Sequence, residues 1–208
     1  MQIISHRGYW KNTNEMNMPV AFERSFRMGY GTETDLRDYN GSLVISHDIA
    51  SNECMSAKAF FELLLKYDNK LTIALNIKSD GLQDLIRLVM EELPIQNYFV
   101  FDMSIPDMVQ YNKLRIPFFS RQSEYEKNVV FYEECHGVWL DAFESIWYDI
   151  ELIVSHINKG KKVAIVSPDL HKREVWPLWH KLKDAKINEV DNVLLCTDIP
   201  QQAKNFFN

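Results

Sequence analysis

Eight short apolar runs recur along the chain, and between most of them the apolar residues fall at helical spacing. The runs are 2–5, 31–36, 71–76, 98–102, 116–120, 137–141, 162–167 and 192–197. Near-continuous apolar segments of this length are what strands buried on both faces look like. Between them, residues 19–28 place Phe22 and Phe26 four apart on one helical face. Residues 56–67 carry Phe60, Leu63, Leu64 and Tyr67, and residues 82–93 carry Leu82, Leu85, Ile86, Val89 and Leu93. Ser56 and Asp80 stand where N-caps of these two helices belong, their side-chain oxygens able to accept orphan backbone N–H bonds. Only residues 121–136, between the fifth and sixth runs, lack helical periodicity.

Strand–helix alternation repeated eight times predicts an α/β fold, a compact (β/α)8 TIM barrel formed by residues 1–208 as a single domain. With 208 residues the chain is near the lower limit of about 200 for that architecture. An open, doubly wound parallel sheet has the same alternation and is the competing topology. No internal repeat, low-complexity tract or linker interrupts the pattern.

Charge and cysteine content narrow the function. Lys and Arg total 23 against 29 Asp and Glu, a net charge of -6, which argues against a duplex-binding protein and for no nucleic-acid partner. Cys54, Cys135 and Cys196 form no Cys-x-x-Cys pair, so neither a disulfide scaffold nor a structural zinc site is expected. No basic segment with an apolar run precedes His6, and no apolar run approaches the roughly 20 residues of a membrane span. The expectation is a cytoplasmic protein with no transmembrane segment.

In a barrel, active groups cluster at the carboxyl ends of the strands. Here those ends read His6-Arg7, Glu33 and Asp35, Asn76 and Lys78, Asp102, Arg121, Asp141, Ser167, and Thr197-Asp198. Glu33 and Asp35, two apart on a strand, point to one face. Two anions so close repel unless a cation or a raised pKa relieves them, and oxygen-rich sites of this kind suit Mg2+ or Ca2+. An edge strand with a solvated acidic face is the bland alternative. Arg7 offers a planar fork of donors for a phosphate, and a histidine gives and takes protons near neutral pH. Arg121 is the candidate for a substrate-specific contact. For His171-Lys172-Arg173, Trp139, Trp176 and Trp179, a solvated helix start or a packed face is the simpler reading.

Asn40-Gly41 between two β-rich runs marks a hairpin, and its register decides where His47 points. A two-residue turn pairs Thr34 with His47 and turns the imidazole away from the carboxylates. A three-residue turn on Tyr39-Asn40-Gly41 pairs Glu33 with His47 on their shared face. The second arrangement, or a bulge of equal effect, is expected, because it joins histidine and carboxylates.

His6-Arg7-Gly8, Ala21-Phe22, Glu33-Thr34-Asp35 and His47-Asp48 together resemble the signature of the glycerophosphodiester phosphodiesterases, within the phosphatidylinositol-phospholipase-C-like superfamily. The match covers the first quarter of the chain, with a fainter echo in Val193–Thr197, Asp198 and Pro200. The resemblance implies a metal-dependent phosphodiesterase acting on a small-molecule or polymer-linked glycerophosphodiester. It assigns His6 and His47 as general acid and base in either order, and Arg7 and Lys78 as phosphate contacts. Glu33, Asp35 and Asn76 become ligands of a divalent ion, Mg2+ or Ca2+.

Three positions depart from the family pattern. Asn76 stands where the family has a third carboxylate, which weakens the ion site; Asp102 or Asp141 is a candidate to compensate. The family's Pro-Glu-Asn-Thr segment is only loosely represented by Glu15-Met16-Asn17-Met18. The stretch from Glu33 to His47 is one residue shorter than usual. Two competing readings follow: a catalytically impaired barrel that binds a phosphorylated ligand, and a metal-independent phosphodiester lyase.

Overall fold

All eight apolar runs form strands in the computed structural model, which covers residues 1–208, and a ninth strand returns from the Asn40-Gly41 turn. The strands are β1 (Gln2–His6), β2 (Gly31–Tyr39), β3 (Ser42–Ile45), β4 (Ile73–Ile77), β5 (Tyr98–Phe101), β6 (Phe119–Gln122), β7 (Gly137–Leu140), β8 (Lys162–Val166) and β9 (Val193–Thr197). The helices are α1 (Pro19–Arg27), α2 (Ala57–Leu65), α3 (Gln83–Glu92), α4 (Ile105–Lys113), α5 (Ile150–Asn158), α6 (Trp176–Asp184) and α7 (Pro200–Phe207). The hydrogen-bonded strand order is β5-β4-β2-β1-β9-β8-β7-β6, with β3 paired to β2. Eight parallel strands and seven helices in that order are the α/β fold of the TIM-barrel class. The eighth helix is missing between β6 and β7, where helical periodicity is also missing from the sequence.

The chain divides into two compact units, residues 5–118 and residues 1–4 with 119–208. In the first, β2 lies beside β4 with Glu33 opposite Ala74 and Asp35 opposite Asn76. Ser56 caps α2 as expected, its hydroxyl accepting from Ala59 N at 3.1 Å. Asp80 does not cap α3: it accepts from the Ser104 hydroxyl at 3.0 Å, and α3 starts after Leu82 without a side-chain cap. The core between α1 and α2 is aromatic, with Phe22 edge-on to Phe60 at 4.7 Å and Phe60 edge-on to Phe61 at 5.0 Å.

The hairpin overturns the expected register. Tyr39 pairs with Ser42 and Leu36 with Ile45, a two-residue turn in which Asn40 and Gly41 both take positive φ, 50° and 75°. Two residues of that hand match the right-handed twist of the flanking strands, which explains the preference. The pairing extends as far as Ser46, whose N–H donates to Asp35 O at 3.0 Å. The chain then leaves the ladder, so His47 belongs to the following loop and no longer takes its direction from the register.

In the second unit, β6, β7, β8 and β9 run parallel. Trp139 is buried, as packing alone predicts. Trp179 is fully buried and Trp176 half-exposed, resting edge-on against it at 5.7 Å. The helix-free connection after β6 is held by side chains. Ser120 donates to Val130 O, Gln122 donates to Lys127 O at 2.8 Å, and buried His156 of α5 bridges Gln122 Oε1 at 2.9 Å and the Tyr132 hydroxyl at 2.7 Å.

Burial, reinforced by Lys159, holds the pKa of His156 below the ordinary imidazole value, and burial also lowers that of His136. Below about pH 6.5 the unfolded chain therefore binds protons that the folded chain refuses, and stability falls as pH falls. Thermal unfolding of the wild type and His156→Gln between pH 8 and pH 5 checks this: the variant should lose less stability on acidification, while Glu33, whose raised pKa acts in the opposite sense, contributes equally to both; an identical pH dependence would exclude His156 as a source.

Candidate active site

The signature residues His6, Arg7, Glu33, Asp35, His47, Asn76 and Lys78 all lie in the unit formed by residues 5–118. β1 ends at His6, and Arg7 then takes a left-handed φ of 56°, a conformation that costs a non-glycine residue about 1–2 kcal/mol. Its N–H donates to Glu33 O at 3.0 Å and to Glu33 Oε2 at 3.2 Å, which fixes the turn against β2. Gly8 follows at φ 83°, donating to Thr32 Oγ1 at 3.0 Å. A Cβ there would lie 2.7 Å from the Ala21 Cβ and 2.8 Å from its carbonyl carbon. The glycine of His-Arg-Gly and the alanine of Ala21-Phe22 are thus two sides of one close contact.

Asp35 is fully buried. Its Oδ2 accepts from Asn17 Nδ2 at 2.7 Å and lies 3.0 Å from Arg7 Nε, while Oδ1 lies 3.3 Å from Lys78 Nζ. Neither cation is aligned as a hydrogen-bond donor, leaving Arg7 Nε and Asp35 Oδ1 buried without hydrogen-bond partners. These are Coulombic contacts. Glu33 is also buried, with Oε2 3.8 Å from His6 Nε2. Burial, then the neighbouring Asp35 charge, pushes its carboxyl up to about 7, against the opposing pull of His6, Arg7 and Lys78. The pair predicted from spacing is real, and its repulsion is relieved by both expected routes, fixed cations and a raised pKa.

Asn17 is the residue missing from the expected site set. It sits at φ 60°, which asparagine tolerates better than most residues, and its N–H donates to Arg7 O at 3.0 Å. Its amide joins Asp35 to the Thr34 hydroxyl, which donates to Asn17 Oδ1 at 2.8 Å. The loose Glu15-Met16-Asn17 match was its signal. Glu15 in turn accepts from Lys11 N and Arg24 Nη1, both at 2.8 Å, holding the loop that carries Asn17.

His47 is half-exposed, with Nδ1 2.9 Å from Asp48 Oδ1, and its carbonyl accepts from Arg37 Nε at 3.3 Å. It opens onto a cleft of about 400 Å³ lined also by Arg7, Asn17 and Asp48, with Met16 and Met55 on the apolar side. The structure therefore gathers His6, Arg7, Glu33, Asp35 and Lys78 around buried carboxylates and brings His47 to Arg7 through the cleft.

No three His, Cys, Asp or Glu side chains assemble as a metal-ligating group. The donor set fits a hard divalent ion in another way. Asn76 Oδ1, like Asp35 Oδ1 opposite it on β2, is a buried oxygen with no hydrogen-bond donor. Two such oxygens with Glu33 beside them suit the oxygen preference of Mg2+ or Ca2+.

Arg121 lies in the other unit, paired with Glu126 and with its guanidinium 5.7 Å from the Phe143 ring centre. In that unit Asp141 Oδ1 accepts from His171 Nε2 at 2.7 Å, so His171 is partly buried and paired rather than a solvated helix start. The Ser167 hydroxyl accepts from Trp179 Nε1 at 3.0 Å, a structural role.

By sequence the chain matches no protein-family model and no curated protein. By structure it is similar to a phosphodiesterase from Oleispira antarctica solved with the product sn-glycerol-3-phosphate, at 15% identity and TM-score 0.72, covering 99% of this chain and 96% of that one. It is equally similar to a glycerophosphodiester phosphodiesterase from Thermotoga maritima, at 17% identity, TM-score 0.72 and coverage of 98% and 97%. For that of Agrobacterium tumefaciens the values are 13%, 0.73, and 99% and 98%. The fold is that of the glycerophosphodiester phosphodiesterases. Near-complete coverage in both directions means that the same architecture is reached without a large insertion or deletion.

Gly8→Ala should destabilise the protein by about 1–3 kcal/mol, since it adds a methyl group inside contact distance at a left-handed position. Denaturant unfolding checks this, and a loss below about 0.5 kcal/mol would mean that the contact with α1 relaxes freely.

Proposed function

We propose that the protein is a phosphoric diester hydrolase that cleaves a glycerophosphodiester-like substrate to a phosphomonoester and an alcohol. The observation that carries this reading is the gathering of two cations and a histidine around buried Asp35 and Glu33, with a second histidine on the cleft that Arg7 lines. A fold shared with glycerophosphodiester phosphodiesterases supports the reaction class.

The chain's own groups account for most of the chemistry. Arg7 and Lys78 present positive charge to the phosphodiester, and Asp35 holds both in place. One histidine accepts the proton of the attacking hydroxyl, either water or the hydroxyl neighbouring the phosphate, and the other protonates the departing alkoxide. Each such transfer is worth about 10²–10⁴ in rate. The Asp48 contact at His47 Nδ1 leaves Nε2 of that ring for the substrate. Glu33, Asp35 and Asn76 would hold Mg2+ or Ca2+, which when bound supplies charge neutralisation at the phosphoryl oxygens. With an amide in place of a third carboxylate, that ion is held weakly. Three unpaired cysteines agree with a cytoplasmic setting, and no helix is long and apolar enough to cross a membrane. Arg121 is kept as a proposed substrate contact.

A panel of glycerophosphodiesters incubated with Mg2+, Ca2+ or chelator, read by release of the alcohol together with phosphomonoester or cyclic phosphate, tests the reading. His6→Ala and His47→Ala should each lower kcat by about 10²–10⁴ while the protein stays folded. Absence of cleavage with every substrate and ion would leave a phosphate-binding barrel instead, and cleavage indifferent to chelator would favour the metal-independent lyase. Asn76→Glu should tighten ion binding in calorimetry; unchanged affinity removes residue 76 from the ligand set.

A further inference from the structure

We infer that Lys78 and a divalent ion compete for Asp35 Oδ1, so that an anionic ligand which draws Lys78 away opens the cation site. The inference deepens the hydrolase reading above and rests on it. The two oxygens of Asp35 are not equivalent. Oδ2 is fixed by the Asn17 amide at 2.7 Å and by Arg7 at 3.0 Å. Oδ1 meets Lys78 Nζ at 3.3 Å without hydrogen-bond alignment. Lysine is therefore held there by charge alone, on a flexible four-carbon stem whose side chain is 21% exposed, whereas Asp35 is not exposed at all. The ammonium occupies the one carboxylate oxygen left free of directional bonds, beside the unpartnered Asn76 Oδ1.

The charge balance makes the competition consequential. Asp35 already meets two fixed cations, Arg7 and Lys78, before any ion arrives, and the neutral amide at position 76 adds no negative charge to offset them. As it stands, a divalent cation must approach two fixed positive groups to reach Oδ1. A phosphate oxygen changes this by offering Lys78 a second anionic partner, and it adds negative charge to the cluster. Ion and anion then help one another to bind, and the coupling is reciprocal.

Calorimetric titration of Mg2+ and Ca2+ into the wild type, Lys78→Met and Lys78→Arg, each with and without inorganic phosphate, tests this, with circular dichroism and thermal unfolding to verify the fold. Removing a like charge within about 4–6 Å should tighten ion binding to Lys78→Met roughly tenfold or more in the absence of phosphate. Phosphate should strengthen ion binding less in Lys78→Met than in the wild type, and Lys78→Arg, which keeps the charge, should stay near the wild type. If Lys78→Met binds the ion as the wild type does and responds equally to phosphate, Lys78 is not the competitor, although the ion site itself stands. If none of the three proteins binds either ion with or without phosphate, the ion site and this inference fall together.

Discussion

A carboxylate withdrawn completely from water must be paired, and Asp35 organises the candidate site through that requirement. Arg7, Asn17 and Lys78 come from three separate parts of the chain to meet it. Meeting it requires two of them to adopt unusual backbone: Arg7 and Asn17 both sit in the left-handed region. Gly8 allows the strand end to turn against α1 closely enough for Arg7 to reach inward. Two opposite charges about 4 Å apart attract by about 4 kcal/mol at an effective dielectric of 20, enough to hold strain of this size.

The second acid is managed differently. Glu33 has the Arg7 N–H and a histidine at 3.8 Å, and its carboxyl is raised to about 7, first by burial. Two carboxylates two residues apart are thus made unequal, one set against fixed cations and the other raised in pKa by its burial. The inequality follows from β-strand geometry. Asp35 is nearer the strand's carboxyl end, where Lys78 of the neighbouring strand and the Asn17 loop arrive; Glu33 lies one step deeper, opposite Ala74, which offers it nothing polar.

The parts of this arrangement that were legible in the sequence are those encoded locally. Strand and helix periodicities gave the element order, Ser56 stood at a helix start, and the missing periodicity of residues 121–136 corresponds to a missing helix. The hairpin register was legible too, in Asn40-Gly41, whose preference for a two-residue turn is a property of those residues. The three-residue alternative gave more weight to what the site needs than to the turn. Asp80 stands at a cap position, but Ser104, 24 residues on, claims its oxygens. Asn17 bonding Asp35, and His171 bonding Asp141 across 30 residues, depend on pairings that no local pattern announces.

The two histidines show how strand and loop divide the work. His6 ends a strand, and its imidazole, 17% exposed, is held beside a buried acid by the sheet itself. His47 comes after the ladder has ended, in a loop tied by Ser46, Arg37 and Asp48, and its side chain is 45% exposed. A group on the sheet keeps its position relative to Glu33 and Asp35 to within the stiffness of the strands. A group on a loop has greater freedom to adjust to what enters the cleft. The one-residue-shorter hairpin is compatible with the site for this reason. The register would have aimed a histidine within the ladder away from the carboxylates, and leaving the ladder at Ser46 frees His47 from that constraint and places it on the wall that Arg7 shares.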